Sequence, residues 1–129
     1  MKILKVGIAG YGIVGKKRHV YVDENINAKV VAICDRNFKE NNLLKNNIRS
    51  FNNYQDLLKE DLDILFVCLP NFLAAEATIK GLEKDFHVFC EKPPGKNVQD
   101  IEEVIVMESK KPKLKLKYGF NHRYHDSVK

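Results

Sequence analysis

The sequence has no apolar run approaching the roughly 20 residues that a membrane-spanning helix needs. Its start, MKILKVGIAG, is only briefly apolar and has no small-residue cleavage site behind a longer hydrophobic stretch. It reads as a first strand and not as a signal peptide. Cysteine is scarce. Cys34, Cys68 and Cys90 are odd in number, widely spaced and without a CxxC pair, which argues against a disulfide framework or a zinc knuckle. Each closes an apolar run (VVAIC, LFVC, HVFC), so all three are expected to be small buried hydrophobes in a reducing, cytoplasmic setting. Internal repeats and low-complexity segments are lacking, as is any interleaving of basic and aromatic residues of the kind that stacks bases. The net charge is +5, but lysines are spread among Glu and Asp, so nucleic acid is not the expected partner.

What is present is one domain's worth of chain: 129 residues, 44% apolar and 30% charged, the balance of a soluble globular protein. Strand-like and helix-like stretches alternate. Strands are expected at 3–9, 29–34, 49–51, 63–68, 86–90 and 114–118, and helices at 13–22, 38–45, 54–59, 71–84 and 98–110. Asn71, after Pro70, is placed as an N-cap. In the last helix Ile101, Val104, Ile105 and Glu108 are spaced for one buried stripe. Most of the strands are near-continuous apolar runs, as in a parallel sheet covered on both faces. The last strand differs, alternating Leu114, Leu116 and Tyr118 with Lys113, Lys115 and Lys117, the pattern of a lysine-guarded edge. The expected fold class is α/β: a doubly wound, mostly parallel sheet with helices on both faces.

One motif carries chemistry. Gly10, Gly12 and Gly15 form GxGxxG after the first strand and at the start of the first helix. Asp35 ends the next strand 20 positions after Gly15. Each glycine answers a separate physical need. Gly10 permits the tight turn, Gly12 lets backbone approach a pyrophosphate, and Gly15 lets helix and strand lie close. The helix start offers unpaired N–H groups and partial positive charge to the phosphates. Asp35 would accept hydrogen bonds from the adenosine ribose, and its charge favours NAD over NADP. Arg36 could instead pair with a 2′-phosphate or stack on adenine. Lys16 and Lys17 are expected on the solvated flank of the helix, with Arg18 and His19 partly packed.

Two further patches lie just past strands, at the carboxyl edge of the sheet where open α/β folds bind ligands. CEKPPG (90–95) offers Lys92 for proton transfer at a substrate hydroxyl, although a solvated surface lysine is equally compatible with the spacing. GFNHRYH (119–125) contains His122 and His125, three apart, with no further ligands that would make a metal site; no metal is expected. His19 and His87 are read as structural.

With GxGxxG, the acid at Asp35, LPN at 69–71, EKP at 91–93 and GFNHRY at 119–124 in this order, essentially the whole chain resembles the Gfo/Idh/MocA oxidoreductases. The glycine loop and GFNHRYH are also similar to members acting on sugar nucleotides. The resemblance implies a Rossmann-type domain and NAD(P)-dependent hydride transfer at a sugar, sugar-nucleotide or polyol carbon. It implies Lys92 as the catalytic lysine, reaching nicotinamide and substrate. It implies that Gly12, Ile13 and Val14 line the pyrophosphate, and that Leu69, Pro70 and Asn71 run along the cofactor. Glu91 would lie near the nicotinamide ribose, and Arg123 against the cofactor or a second domain. The family's second, mostly antiparallel β domain supplies substrate contacts and usually a catalytic His and Asp, and is expected outside residues 1–129. The chain alone would then bind cofactor without turnover, and a longer parent would form a homo-oligomer. The rival reading is a stand-alone NAD(P)-binding sensor without chemistry. Two departures stand out: Ala74 where relatives often carry histidine, and Asp85 where glycine is common.

Overall fold

The computed structural model describes residues 2–39, 42–44, 47–91 and 96–119. Among these, seven strands form one sheet in the order β3-β4-β2-β1-β5-β6-β7. The central strand is β1 (Leu4–Ala9), parallel to β2 (Ala28–Cys34) on one side and to β5 (Ile64–Val67) on the other. Beyond them lie β4 (Arg49–Phe51), then β6 (His87–Glu91) and β7 (Leu116–Gly119), all parallel. The chain follows the expected doubly wound α/β plan.

Side chains alternate between the two faces, and this divides the core. On one face Ile8, Ile33 and Val30 pack with Val22 of α1 (Ile13–Asp23). On the other, Ala9, Cys34, Leu65 and Val67 pack with α2 (Tyr54–Leu57) and α3 (Asn71–Glu83). The fourth helix, α4 (Val98–Ser109), lies beside α3. Past Lys5 and Lys29 near their starts, the central strands are apolar because both faces are covered. At the far edge, β7 keeps Lys117 exposed between half-buried Leu116 and Tyr118, as its alternation predicts. His87 reinforces this edge: its Nδ1 accepts the Lys115 N–H at 3.0 Å.

Three expectations need correction. The described residues of 38–45 form no helix; Asn42–Leu43 is a short β3, antiparallel to β4. The asparagine-rich segment turns back on itself instead, with the Leu44 N–H donating to Ile48 O at 2.7 Å and Asn47 at φ 62°. Asparagine tolerates this left-handed backbone better than most residues and is a poor helix former. Asn71 is not a cap: Pro70, with its fixed φ of −55°, is the N-cap and its carbonyl accepts from Ala74, so Asn71 is already helical. The working asparagine caps are Asn53 and Asn97, which accept from the Asp56 and Asp100 N–H groups at 2.8 and 2.9 Å. In α4 the inward line is half-buried Ile101, buried Val104 (1% exposed) and half-buried Met107, while Ile105 (56% exposed) and Glu108 are exposed. The helix presents one narrow edge, and a step of four rotates Ile105 off it.

The departure at Asp85 has a conformational meaning. It takes φ 66° just past α3, where the Phe86 N–H reaches back to Gly81 O at 3.0 Å. This is the helix stop that glycine usually serves. Aspartate fills it here, and its carboxylate meets the Lys111 ammonium at 2.7 Å. Ala74, the other departure, is fully buried in the core.

The α4 geometry gives a paired expectation. Val104→Ala lowers unfolding stability by about 2 kcal/mol, whereas Ile105→Ser changes it by less than about 0.5 kcal/mol. Urea denaturation of the two variants measures both.

Candidate functional site

The carboxyl ends of β1, β2 and β5 meet around the glycine loop. Gly10 takes φ +96°, and its N–H donates to Cys34 O at 3.0 Å, which ties the turn to β2. A Cβ at Gly10 would run into the backbone carbonyl of Cys68, and one at Gly15 would overlap the carbonyl oxygen of Gly10. Gly12 is different: a Cβ there meets nothing within 4 Å. Two glycines are therefore needed for close packing, and the third borders open space. Gly12 is the N-cap of α1 and has no side chain to cap it. The first amide of the helix ladder is that of Lys16, donating to Gly12 O at 2.9 Å. The N–H groups of Ile13, Val14 and Gly15 precede it and have no carbonyl to receive them within the helix. With the helix dipole they form an anion-seeking end.

That end opens onto a cleft of about 350 Å³. Of the residues named from sequence, Gly10, Gly12, Asp35, Arg36, Leu69 and Pro70 line it. Ile13 and Val14 stand exposed at the helix start beside it. Asn71 is not on its wall; Phe72 and Leu73 take that place. The corner after β4 was missed from sequence, yet Asn52, Asn53, Tyr54 and Gln55 also line the cleft. Position was the available signal, since every residue that follows a parallel strand reaches the same edge.

Asp35 is half-buried at the end of β2. Its Oδ1 accepts the Asn37 N–H at 2.9 Å and its own N–H donates to Phe51 O at 3.0 Å, which sets the carboxylate. Arg36 is exposed at the rim. Cys34 and Cys90 are buried, Cys68 is half-buried, and all three are free thiols. Burial raises the Cys34 and Cys90 thiols to about 11 and Cys68 to about 12, so they serve as packing and not as nucleophiles.

Glu91 ends β6 and is 9% exposed. Both Nε and Nη2 of Arg18 bind its Oε1, and the Arg18 guanidinium lies 5.0 Å from the Phe89 ring centroid. Gly119 lies so close that a Cβ would stand 2.7 Å from Glu91 Oε2. Helix α1, through Arg18, thus holds the strand end from which Lys92 departs. Lys92 itself, Arg123, His122 and His125 lie outside the described residues. Lys16 and Lys17 are exposed while Arg18 and His19 are partly buried, as the spacing from Gly15 implied.

Residues 4–120 match the family GFO_IDH_MocA, described as an oxidoreductase family with an NAD-binding Rossmann fold. The chain is 29% identical over 127 residues to inositol 2-dehydrogenase of Salmonella typhimurium, covering 94% of this chain and 38% of that protein. It is 32% identical over 126 residues to D-glucoside 3-dehydrogenase of Escherichia coli K12, covering 94% and 36%. The crystal structure of scyllo-inositol dehydrogenase from Lactobacillus casei with bound NAD(H) and scyllo-inositol superposes with a TM-score of 0.82 at 25% identity, covering 98% of this chain and 38% of the other. The chain therefore spans well under half the length of the relatives it matches.

Arg18→Ala leaves the Glu91 carboxylate buried without its partner. It is expected to lower stability by about 2–3 kcal/mol. Adding Glu91→Gln should recover part of the loss, as a double-mutant denaturation cycle would measure.

Proposed function

The chain belongs to the Gfo/Idh/MocA oxidoreductases, and on that premise we propose that it is the cofactor-binding domain of a dehydrogenase. The parent enzyme moves a hydride between nicotinamide and a hydroxyl-bearing carbon of a sugar, sugar nucleotide or polyol. The observation that carries this reading is the open side of Gly12 in a loop whose other two glycines, Gly10 and Gly15, leave no room for a side chain. A backbone of that shape, ending in unpartnered amides, fits a pyrophosphate.

The residues present fit NAD along its length. Gly12, Ile13 and Val14 hold the pyrophosphate by their amides, and Asp35 takes the adenosine ribose hydroxyls. A second negative charge, as in NADP, would sit against the Asp35 carboxylate with only exposed Arg36 to offset it. Leu69 and Pro70 follow the cofactor toward the nicotinamide, near Glu91, while Asn71 stays off the cleft wall. NAD, when bound, supplies the hydride acceptor. Lys92 hydrogen-bonds the substrate hydroxyl and assists the transfer of its proton as the carbon gives up hydride. Arg123 braces the cofactor or a second domain. That second domain, carried by a longer parent, supplies the remaining substrate contacts and the surface of a homo-oligomer in the cytoplasm. No described helix is long and apolar enough to cross a membrane.

Calorimetric titration tests the reading. The chain is expected to bind NADH below about 1 mM, with NADPH at least about tenfold weaker. Gly12→Ala is expected to weaken NADH binding about tenfold or more while leaving the melting temperature nearly unchanged, because its methyl enters the space meant for phosphate and touches no protein atom. Absence of NADH binding by the native sequence would overturn the proposal. In a parent carrying both domains, Lys92→Ala is expected to lower kcat by about 10²–10⁴ with the NADH Kd nearly unchanged. An unchanged kcat would remove Lys92 from the chemistry.

A further inference from the structure

Tyr11 stands between Gly10 and Gly12, and no part of the preceding reading uses it. Its side chain is absent from the walls of the cleft and packs with the α1-side core instead. Its hydroxyl lies 2.7 Å from His19 Nδ1. The other imidazole nitrogen, Nε2, lies 3.3 Å from Asp23 Oδ2, one further turn along α1. His19 is 14% exposed at the side chain and Asp23 61%. The three groups form a chain from solvent to the back of the glycine loop.

The chemistry of the donors orders that chain. A carboxylate only accepts, so Asp23 fixes the proton of the neutral imidazole on Nε2. Nδ1 is then an acceptor, and the Tyr11 O–H donates to it. Burial, then the charge of Asp23, holds the Tyr11 phenol above its ordinary pKa, which keeps the donor in place. The ring is fixed as well. Its centroid lies 5.7 Å from that of His19 and 6.3 Å from that of Phe38. Phe38 follows the Asp35 turn, and its N–H donates to Asp35 O at 3.0 Å. Tyr11 thus touches both elements that the dinucleotide would bridge.

Glycine-rich turns have unusual backbone freedom, and a ligand that must order one binds more weakly. We propose that the Tyr11 hydroxyl and the His19 imidazole are a positioning pair that presets the glycine turn for the pyrophosphate, with the Tyr11 ring keeping that turn in register with the Asp35 loop. Asp23 orients the imidazole for this purpose. The proposal rests on the dinucleotide reading above.

The test uses the purified chain with NADH, ADP-ribose and AMP as probes. Tyr11→Phe keeps the ring and removes only the hydroxyl. It is expected to raise the Kd of NADH and of ADP-ribose by about three- to tenfold, and to leave that of AMP, which lacks the pyrophosphate, unchanged. His19→Asn, whose side-chain oxygen can stand in for Nδ1 as acceptor, should retain most of the affinity. His19→Leu should lose as much as Tyr11→Phe. Equal NADH affinity in wild type and Tyr11→Phe overturns the proposal, and so does an equal loss for AMP, which would report general loosening. A second measurement needs no nucleotide. Amide hydrogen exchange of residues 10–16 in the unliganded chain should quicken in Tyr11→Phe while the β1 and β5 amides stay as they were. Unchanged exchange in the loop overturns the pair by itself. A wild-type chain that binds no NADH counts against the dinucleotide reading, and the exchange result then decides the pair alone.

Discussion

The end of β1 and the start of α1 touch backbone to backbone. No atom fits between the Gly15 Cα and the carbonyl oxygen of Gly10, so any side chain at Gly15 would force strand and helix apart. The rest of the site follows from this one steric limit. It sets the height of α1 above the sheet, and so it aims the first helical amides into the cleft. Counting along the helix from Gly15, it places Arg18 over Phe89 and within reach of Glu91. It also places His19 beneath Tyr11. A helix moved outward by even a methyl's width would lose all three relations together.

Helix α1 therefore serves both halves of the site. Its N-terminus borders the cleft at Gly12. Its Arg18 crosses above β5 and grips Glu91 at the end of β6, the residue before Lys92. A partly buried Arg–Glu pair adds little to stability compared with an apolar pair of equal volume, but it leaves the carboxylate few alternatives in position. The N-terminus of α1 beside the glycine loop and the carboxylate at the end of β6 are in this way tied to one element.

The sequence was most readable where a single physical demand acts on a residue. Continuous apolar runs gave the buried strands, and lysine alternation gave the edge strand, because each pattern reports the solvent on the two faces of the sheet. Each glycine of the loop was readable for the same reason: a positive φ at Gly10, contact at Gly15, open space at Gly12. Reading failed where tertiary context decided between near-equal local choices. The segment around Asn42 and Asn47 has weak helix preference, and pairing with β4 tipped it into a hairpin. Ile105 and Ile101 are chemically alike, and only the narrow seat of α4 distinguishes them. The cleft wall at Asn52–Gln55 bears no motif at all; the topology brings it there. Asp85 was noticed as a departure, and the structure supplies the cause, a left-handed helix stop that aspartate tolerates.

The central place of β1 has a consequence for how the chain is made. Of the seven described strands it is the first to be synthesised, and it lies inside the finished sheet with a parallel neighbour on each side. One edge can be satisfied early, since Val6 pairs with Val30. The other must wait for Ile64. At ordinary rates of synthesis that wait lasts several seconds. During it Val6 and Ile8 present an apolar, unpaired strand edge, the kind of template that other chains can join. The long-range pairing that makes the site rigid is thus also the late, slow step of its assembly. The exposure of that edge in the nascent chain ends with the arrival of β5, and the glycine turn itself closes only once Cys34 and Cys68 have followed it.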